Sequence, residues 1–172
     1  MRKIVAGFAC SLDGFIEGPN GEYDWIIIDK EIDFAEQMKR YDSYLYGRRT
    51  YEAVLKMKSK MAKSSRHYVF SHSLDHVADG FILVKGNLKD EVLKIKQGDG
   101  KDIAVFGGAD LLTTLLNENL VDELSISIIP VLLGAGKPMI NVLNKRIHLN
   151  LVKTHAYSVG SVNLTYLVDK TR

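Results

Sequence analysis

Apolar residues occur in short runs along the chain, and their spacing predicts eight β-strands and four α-helices. In the helical segments the apolar residues recur on one face, as in residues 110–117, where the leucines share a single stripe. The predicted strands are residues 3–9, 43–46, 67–71, 81–84, 102–106, 124–129, 147–157 and 161–168. The predicted helices are residues 32–40, 50–57, 88–96 and 110–117.

The order of these elements predicts an α/β fold in a single domain spanning residues 1–172. Strands and helices alternate through most of the chain, which requires parallel strand pairing with helices on both faces of the sheet. The last two strands are separated only by Ser158, Val159 and Gly160, too short a connection for a crossover. We therefore predict a three-layer α/β/α structure, with a mostly parallel eight-stranded sheet and a C-terminal antiparallel hairpin.

Composition and charge restrict the classes of function. With 46% hydrophobic and 26% charged residues among 172, the chain has the composition of a soluble globular protein. Lys and Arg total 23 and Asp and Glu total 21, so the net charge is +2 and no basic excess indicates a nucleic-acid partner. No apolar run is long enough to span a membrane. With neither a nucleic acid nor a membrane indicated, we expect a small molecule as the partner.

Cysteine and histidine positions indicate neither a disulfide nor a metal site. Cys10 is the only cysteine, which excludes an internal disulfide and fits a cytoplasmic, reducing compartment. The five histidines show no metal-ligand spacing, so we predict no bound metal. The first residues imitate a secretory signal, but their apolar run stops at Asp13 and is predicted to form a buried strand.

The first candidate binding motif is Gly47-Arg48-Arg49-Thr50, at the junction of a predicted strand and helix. A helix N-terminus has free N–H groups and a positive partial charge, so cations beside it are unfavourable unless an anion binds there. Gly47 permits close backbone approach, and Thr50 adds a hydroxyl. The alternative is that both arginines are solvated surface residues.

A second junction of the same kind contains Gly107-Gly108, followed by Ala109 and Asp110. Paired glycines there let backbone N–H groups face a phosphate, although a tight turn by itself also explains them. Ligands of open α/β sheets bind at the carboxyl ends of the strands. The two junctions are therefore predicted to face one crevice and to hold a dinucleotide between them.

Two other segments have weaker signals. Ser71-His72-Ser73 follows a predicted strand, where its hydroxyls could bind the same anion or simply cap the strand end. Residues 11–25 contain successive turn signals and form either a long hairpin or a lid that closes over a substrate. We favour the lid.

Asp29, Glu31 and Asp33 cluster where the first helix is predicted to begin, and one of them is a candidate proton donor. Acidic residues in a first turn also serve ordinary helix-end electrostatics. In the predicted helix Ile32 and Ala35 turn toward the core while a neighbouring position borders the cleft. This phase favours Asp33 as the donor.

Five motifs, in this order, resemble one known family. The segments SLDGFI, YGRRTYE, VFSHS, FGGADL and LVDELSISIIPVLLGAGKPM are similar to the C-terminal reductase domain of the bacterial riboflavin-biosynthesis deaminase/reductase, RibD. The resemblance covers almost the whole chain. It implies the dihydrofolate reductase fold and NADPH as the cofactor.

The resemblance also implies a role for each matching position. Residues 47–50 match the segment that holds the adenosine 2′-phosphate and the pyrophosphate, and Ser71 and Ser73 flank the adenosine end. The first-strand loop, including Ala9 and residues 13–16, matches the segment near the nicotinamide. The implied cofactor-binding residues are Ala9, Ile16, Gly47, Arg48, Arg49, Thr50, Ser71, His72, Ser73, Phe106, Gly107, Gly108, Ala109 and Asp110. The candidate catalytic residues are Asp13, Glu31 and Asp33.

The predicted function is hydride transfer from NADPH to a small heterocycle, closest to reduction of the ribosylaminouracil intermediate of riboflavin synthesis. Pterin reduction is the next candidate. The riboflavin enzymes have an acidic residue where this chain has Phe106, which favours a rival from another class, a nucleotide-binding module without turnover. The apolar segment 128–133 and the terminal hairpin, through which the family it resembles commonly pairs, predict a homodimer.

Overall fold

The computed structural model describes residues 1–57 and 64–171, and these residues form ten strands and four helices. The strands are β1 (Ile4–Ser11), β2 (Phe15–Glu17), β3 (Tyr41–Gly47), β4 (Arg66–Phe70), β5 (Phe81–Val84), β6 (Asp102–Gly107), β7 (Glu123–Ile129), β8 (Lys137–Pro138), β9 (Leu149–Ala156) and β10 (Val162–Val168). The helices are α1 (Phe34–Met38), α2 (Arg48–Lys56), α3 (Leu88–Gln97) and α4 (Ala109–Asn117). None of the helices in these ranges is long and apolar enough to cross a membrane.

Eight strands form one sheet in the order β5-β4-β3-β6-β1-β7-β10-β9. Each pair from β5 to β7 is parallel. The strand β10 is antiparallel to both β7 and β9, which confirms the predicted fold class with its C-terminal antiparallel hairpin. Because β3, β4, β5 and β6 are parallel, their carboxyl ends lie along one edge of the sheet, where ligands bind in open α/β folds.

Alternate side chains of the strands pack on opposite faces of this sheet. On one face, Leu45 of β3 belongs to a buried cluster with Val92 of α3 and Leu115 of α4. On the other face, the buried Tyr46 of β3 packs in a second cluster with Tyr51 of α2. Helices therefore cover both faces, as the alternation of elements predicts.

The first helix is shorter than the predicted segment 32–40. It runs over five residues, Phe34–Met38, and contains no buried side chain. Ala35 is exposed, so the expectation that Ala35 turns toward the core is wrong. Asp33 precedes the helix and caps it, because its carboxylate accepts a hydrogen bond of 2.9 Å from the Glu36 N–H.

The second helix begins earlier than predicted, at Arg48 rather than Thr50, with Gly47 as its N-cap residue. Both arginines of the motif therefore lie in the first turn of α2. This difference moves the two side chains from a loop onto a rigid element, and the segment still sits at the carboxyl end of β3.

A small antiparallel sheet of β2 and β8 is absent from the sequence prediction. Glu17 lies opposite Lys137 in this pair, and beside it the Met139 N–H donates to the Gly14 carbonyl at 2.9 Å. The segment predicted as a hairpin or lid is thus bonded to residues 137–139 instead of pairing only with itself. Closure over a substrate stays a prediction.

Candidate functional site

A cavity of about 500 Å³ opens at the carboxyl ends of β3, β4, β5 and β6. The N-terminal ends of α2, α3 and α4 border it. The structure brings to its walls residues from all three candidate motifs of the sequence, which are spread over residues 47–110 of the chain. These are Gly47, Arg48, Arg49, Thr50, Ser71, His72, Gly108 and Asp110.

The two glycine junctions meet directly inside the cavity. A Cβ atom built on Gly47 would lie 3.6 Å from the Gly108 nitrogen and 3.6 Å from the Gly107 carbonyl oxygen. Gly107 has a φ of 111°, a conformation that favours glycine over other residues, and the Gly107–Gly108 peptide bond is cis. The backbones of the two junctions therefore form a cradle, bordered by the Thr50 hydroxyl and the Lys137 ammonium group, as the interpretation of one shared crevice requires.

The helix ends that face this cradle have no side-chain caps. Gly47 precedes α2 and Gly108 precedes α4, and neither helix end receives a side-chain hydrogen bond from the residues that the structure describes. The two helices with polar N-cap residues are different, because Asn87 and Asp33 accept bonds from first-turn N–H groups. Two sets of free N–H groups and two positive helix ends thus converge on one cavity, a suitable site for an anion.

Three cationic side chains line the same cavity. Arg48 donates to Glu52 one turn along α2, at 2.9 Å. Arg49 is exposed and has no ion-pair partner within the described ranges. Lys137 of β8 lies 3.6 Å from the carboxylate of Glu17. Arg49 is therefore the cation most available to a ligand.

Six of the predicted cofactor-binding residues lie outside the cavity walls. Ala109, the first residue of α4, is buried. Gly107 lies next to the Thr50 side chain, and Ser73 lines a separate surface depression beside Tyr51. The other three, which lie on β1, β2 and β6, are Ala9, Ile16 and Phe106. The predicted role of Ala9 and Ile16 at the nicotinamide end stays a prediction, as does cofactor binding by Phe106.

Several wall residues have no counterpart among the predicted ones. Their apolar members come from the ends of β4 and β5 and from α3 and α4, and provide a surface on which an aromatic ring can pack. The unpredicted residues are Phe70, Val84, Gly86, Leu88, Leu111, Thr114 and Lys137. Lys137 lies in the glycine-rich segment GAGKP, but the sequence does not show that this segment reaches the cavity. The sequence pattern of the apolar wall residues is the same as that of core residues.

The Asp13 carboxylate joins its own loop to the loop that follows β7. Ser11 donates its hydroxyl to Asp13 at 2.6 Å, and the Leu133 and Gly134 N–H groups donate at 3.2 and 2.7 Å. The bonds from Ser11 and Gly134 hold the pKa of Asp13 below its ordinary value. Asp13 is therefore ionised at neutral pH, and its catalytic role stays a prediction.

The three acids near α1 have different surroundings. Asp29 is buried and accepts bonds from the Glu31 N–H and the Ser158 hydroxyl, which lower its pKa and keep it ionised. Glu31 lies 3.9 Å from the ring nitrogen of His155. Asp33 caps α1 through one carboxylate oxygen. Asp29 is thus a structural anchor, and Glu31 and Asp33 remain the candidates for proton donation.

The sheet face next to the cavity is partly bare. Gly7 is exposed although it lies on the central strand β1, between β6 and β7. On the same face Phe106 of β6 is 48% exposed and packs against Tyr46, with ring centroids 5.3 Å apart. The exposed part of the Phe106 ring, at the end of the sheet that carries the cavity, offers a surface on which a flat ring can pack.

Neutral polar side chains continue this face beyond β1. Ser127 of β7 lies opposite Ala9 on one side and Asn163 on the other. The Asn163 amide donates to Ser125 at 3.3 Å and to Ser127 at 3.1 Å. Neither serine was singled out from the sequence, because in a strand a serine signals only an exposed position. The face can offer hydroxyl and amide groups to a polar ring substituent.

Three comparisons place the chain among known proteins. The RibD C-terminal domain family matches residues 2–163. The Bacillus subtilis (strain 168) protein YyaP is 39% identical over 177 residues, covering 96% of this chain and 94% of YyaP.

Solved structures show the same fold. A protein of Shewanella sp. PV-4 attributed to riboflavin biosynthesis aligns with a TM-score of 0.88 at 27% identity, covering 98% of this chain and 99% of that one. Dihydrofolate reductase of Enterococcus faecalis, solved in complex with NADP(H), aligns with a TM-score of 0.74 at 18% identity over 98% of this chain and 97% of that one. At that identity the second likeness supports the fold alone.

Proposed function

The chain belongs to the RibD C-terminal domain family of reductases, and from this premise we propose that it transfers hydride from NADPH to a small heterocyclic substrate. Family membership supports the oxidoreductase class. The choice of NADPH and of a heterocycle is our proposal, and it is supported by the cavity at the carboxyl edge of the sheet.

The observation that supports NADPH most strongly is the pair of uncapped helix ends at Gly47 and Gly108. A dinucleotide has a pyrophosphate that can accept hydrogen bonds from such N–H groups. NADPH has a further 2′-phosphate that suits Arg49, which has no ion-pair partner among the described residues. Ser71, buried at the cavity wall, fits the adenosine end. When bound, NADPH supplies the hydride, while the protein supplies orientation and charge.

The substrate side fits a flat, polar ring. Phe106 supplies a half-exposed aromatic ring that packs on the buried Tyr46, and Ser127 and Asn163 supply neutral hydrogen-bonding groups on the same face. We propose 5-amino-6-(5-phosphoribosylamino)uracil as the first substrate to test, with a pterin as the second. The rival function, nucleotide binding without turnover, is favoured by Phe106, which places an apolar ring where the riboflavin enzymes have an acid.

Oxidation of NADPH distinguishes these functions. With the uracil substrate, the reductase should lower NADPH absorbance at a rate proportional to enzyme, and the reduced product should appear in equal amount. Saturable NADPH binding without oxidation by either the uracil or the pterin would support the binding module instead. Absence of NADPH binding would reject both functions.

We propose Asp33 as the proton donor that accompanies hydride transfer. An Asp33→Asn variant should keep NADPH affinity and lose about tenfold or more of kcat, because general acid catalysis contributes about 10²–10⁴-fold. Asparagine is as good an N-cap residue as aspartate, so α1 should remain intact. The measurement is kcat against pH for the wild type and the variant.

A Glu31→Gln variant provides the matched control. If Asp33→Asn leaves kcat and its pH profile unchanged while Glu31→Gln lowers kcat, the donor is Glu31, and Asp33 serves only as a helix cap. An unchanged kcat in both variants would indicate that an ordered water delivers the proton.

A homodimer is the proposed assembly. Every residue of the edge strand β9 is exposed, including Leu151 and Val152, and Leu132 in the neighbouring apolar segment is 68% exposed. An exposed apolar edge strand tends to be covered in the native assembly. Sedimentation at micromolar concentration should give twice the chain mass of 19.3 kDa, and a Val152→Lys variant should shift it toward the monomer. A wild-type monomer at that concentration would reject the dimer.

A further inference from the structure

Lys137 is the cavity cation to which the sequence resemblance gives no role. We propose that it binds the pyrophosphate that NADPH and NADH share, and that Glu17 competes with the cofactor for it. This inference rests on the proposed function, because it concerns how the same cavity holds its dinucleotide.

The position of Lys137 places its charge at the glycine cradle. Its ammonium nitrogen lies 3.6 Å from the point that a Cβ atom on Gly108 would occupy. Gly108 is the N-cap residue of α4, whose first-turn N–H groups have no side-chain cap from the described residues. A cation beside a positive helix end is electrostatically unfavourable, so the placement indicates that both groups serve one anion.

The partner that the structure gives Lys137 is weakly held. Its ammonium group lies 3.6 Å from a Glu17 carboxylate oxygen, and the two side chains are 21% and 41% exposed. Exposed ion pairs at such distances contribute little to stability. A pyrophosphate offers several charged oxygens together with the helix N–H groups, so Lys137 can exchange Glu17 for the cofactor.

The position of Glu17 is fixed by the backbone, so its competition follows from the fold. It lies opposite Lys137 in the β2–β8 pair. Its own carbonyl oxygen would be only 2.1 Å from a Cβ atom on Gly136, so the two strands approach too closely there for any side chain at 136. The Glu17 backbone therefore stays opposite Lys137 whether or not an anion is bound, and its carboxylate remains within reach of the ammonium group.

Loss of Lys137 and loss of Arg49 should affect the binding of NADPH and NADH differently. Arg49 lies on α2, and we assign it to the 2′-phosphate that NADH lacks, whereas Lys137 lies beside Gly108 at the start of α4. Loss of Lys137 should accordingly weaken both cofactors by the same factor. Loss of Arg49 should weaken NADPH alone.

The test is calorimetric titration of the purified chain with NADPH and with NADH. In a Lys137→Met variant both dissociation constants should rise about tenfold, as expected for the loss of one charge-assisted bond. A Lys137→Arg variant should recover most of the affinity. A Lys145→Met variant, which removes an exposed lysine outside the cavity, should bind both cofactors as the wild type does.

Competition by Glu17 has its own signature. A Glu17→Gln variant should bind both cofactors about twofold to threefold more tightly, because the competing carboxylate is removed. In the Lys137→Met background the same change should have no effect. This double-mutant cycle separates competition at Lys137 from a general gain of positive potential.

Each of the other outcomes overturns the inference. If the wild type binds both cofactors and Lys137→Met binds them with unchanged affinity, the role of Lys137 is rejected and the proposed function stands. Weaker NADPH but unchanged NADH would assign Lys137 to the 2′-phosphate instead. If Glu17→Gln still tightens cofactor binding in the Lys137→Met background, competition of Glu17 for Lys137 is rejected. A wild type that binds neither cofactor would reject the proposed function, and this inference with it.

Discussion

Replacing Arg49 by alanine is expected to weaken NADPH binding by about tenfold or more and to leave NADH binding nearly unchanged. A charge-assisted bond to a phosphate contributes about 1.5–3 kcal/mol, and only NADPH has the 2′-phosphate. Arg49 has no ion-pair partner in the described part of the chain, so its full charge is available. Arg48 shares its charge with Glu52, and its replacement should have a smaller effect.

Fluorescence or calorimetric titration with both cofactors measures this selectivity. Arg146, exposed in the loop before β9, provides the control variant Arg146→Ala, which removes the same charge far along the chain. An equal loss for NADPH and NADH in Arg49→Ala would remove the 2′-phosphate assignment. The double variant Arg48→Ala/Arg49→Ala should show the largest selectivity change.

Replacement of Asp122 by asparagine is expected to cause a large loss in the free energy of unfolding. The Asp122 carboxylate accepts from the Ile4 N–H at 2.7 Å, from Lys170 at 2.5 Å and from Lys96, whose side chain is 9% exposed. One carboxylate thus joins β1, α3 and the C-terminal segment. An Asp122→Asn variant leaves the Lys96 ammonium with little compensation and should lower the free energy of unfolding by about 3 kcal/mol. Urea denaturation at neutral pH measures this loss.

The same residue predicts how stability depends on pH. Burial alone would raise the pKa of Asp122, but the bonds from Lys170 and Lys96 outweigh it and lower the pKa. A carboxyl with a lowered folded pKa stabilises fully above its unfolded pKa of about 3.9, and this contribution disappears as pH falls through the folded value. The difference between the wild type and Asp122→Asn should therefore be constant near neutrality and shrink below about pH 4. A difference that is independent of pH down to acid unfolding would contradict the assignment.

The main sheet was predictable because its strands are apolar runs between strong turn signals. The strand at residues 81–84 has the predicted bounds, and the terminal hairpin follows from its short connection. The pair β2–β8 was not predictable, since its two segments are only three and two residues long and meet through tertiary contacts. The bounds of α1 were predicted wrongly for a related reason. Its five residues include no buried side chain, so no apolar stripe indicates where the helix begins or which of its faces is turned toward the core.

The candidate site was partly predictable from glycine placement. Gly47 and Gly108 stand where a strand meets a helix, and parallel strands bring such junctions to one edge. Leu111 and Val84 were not predictable as wall residues, because an apolar side chain has the same sequence signal whether it lines a cavity or fills a core. Lys137 reaches the cavity only through β8, a pairing that no local pattern reveals.

A crystal structure of the protein grown with NADPH would show whether the cavity holds the cofactor. We expect density for the dinucleotide in the cavity, with its pyrophosphate against the backbone of Gly47 and Gly108, its 2′-phosphate on Arg49, and its nicotinamide toward the bare face at Gly7. Density for NADPH elsewhere on the molecule, or a cavity without it at a cofactor concentration that saturates binding in solution, would rule out this mode of binding.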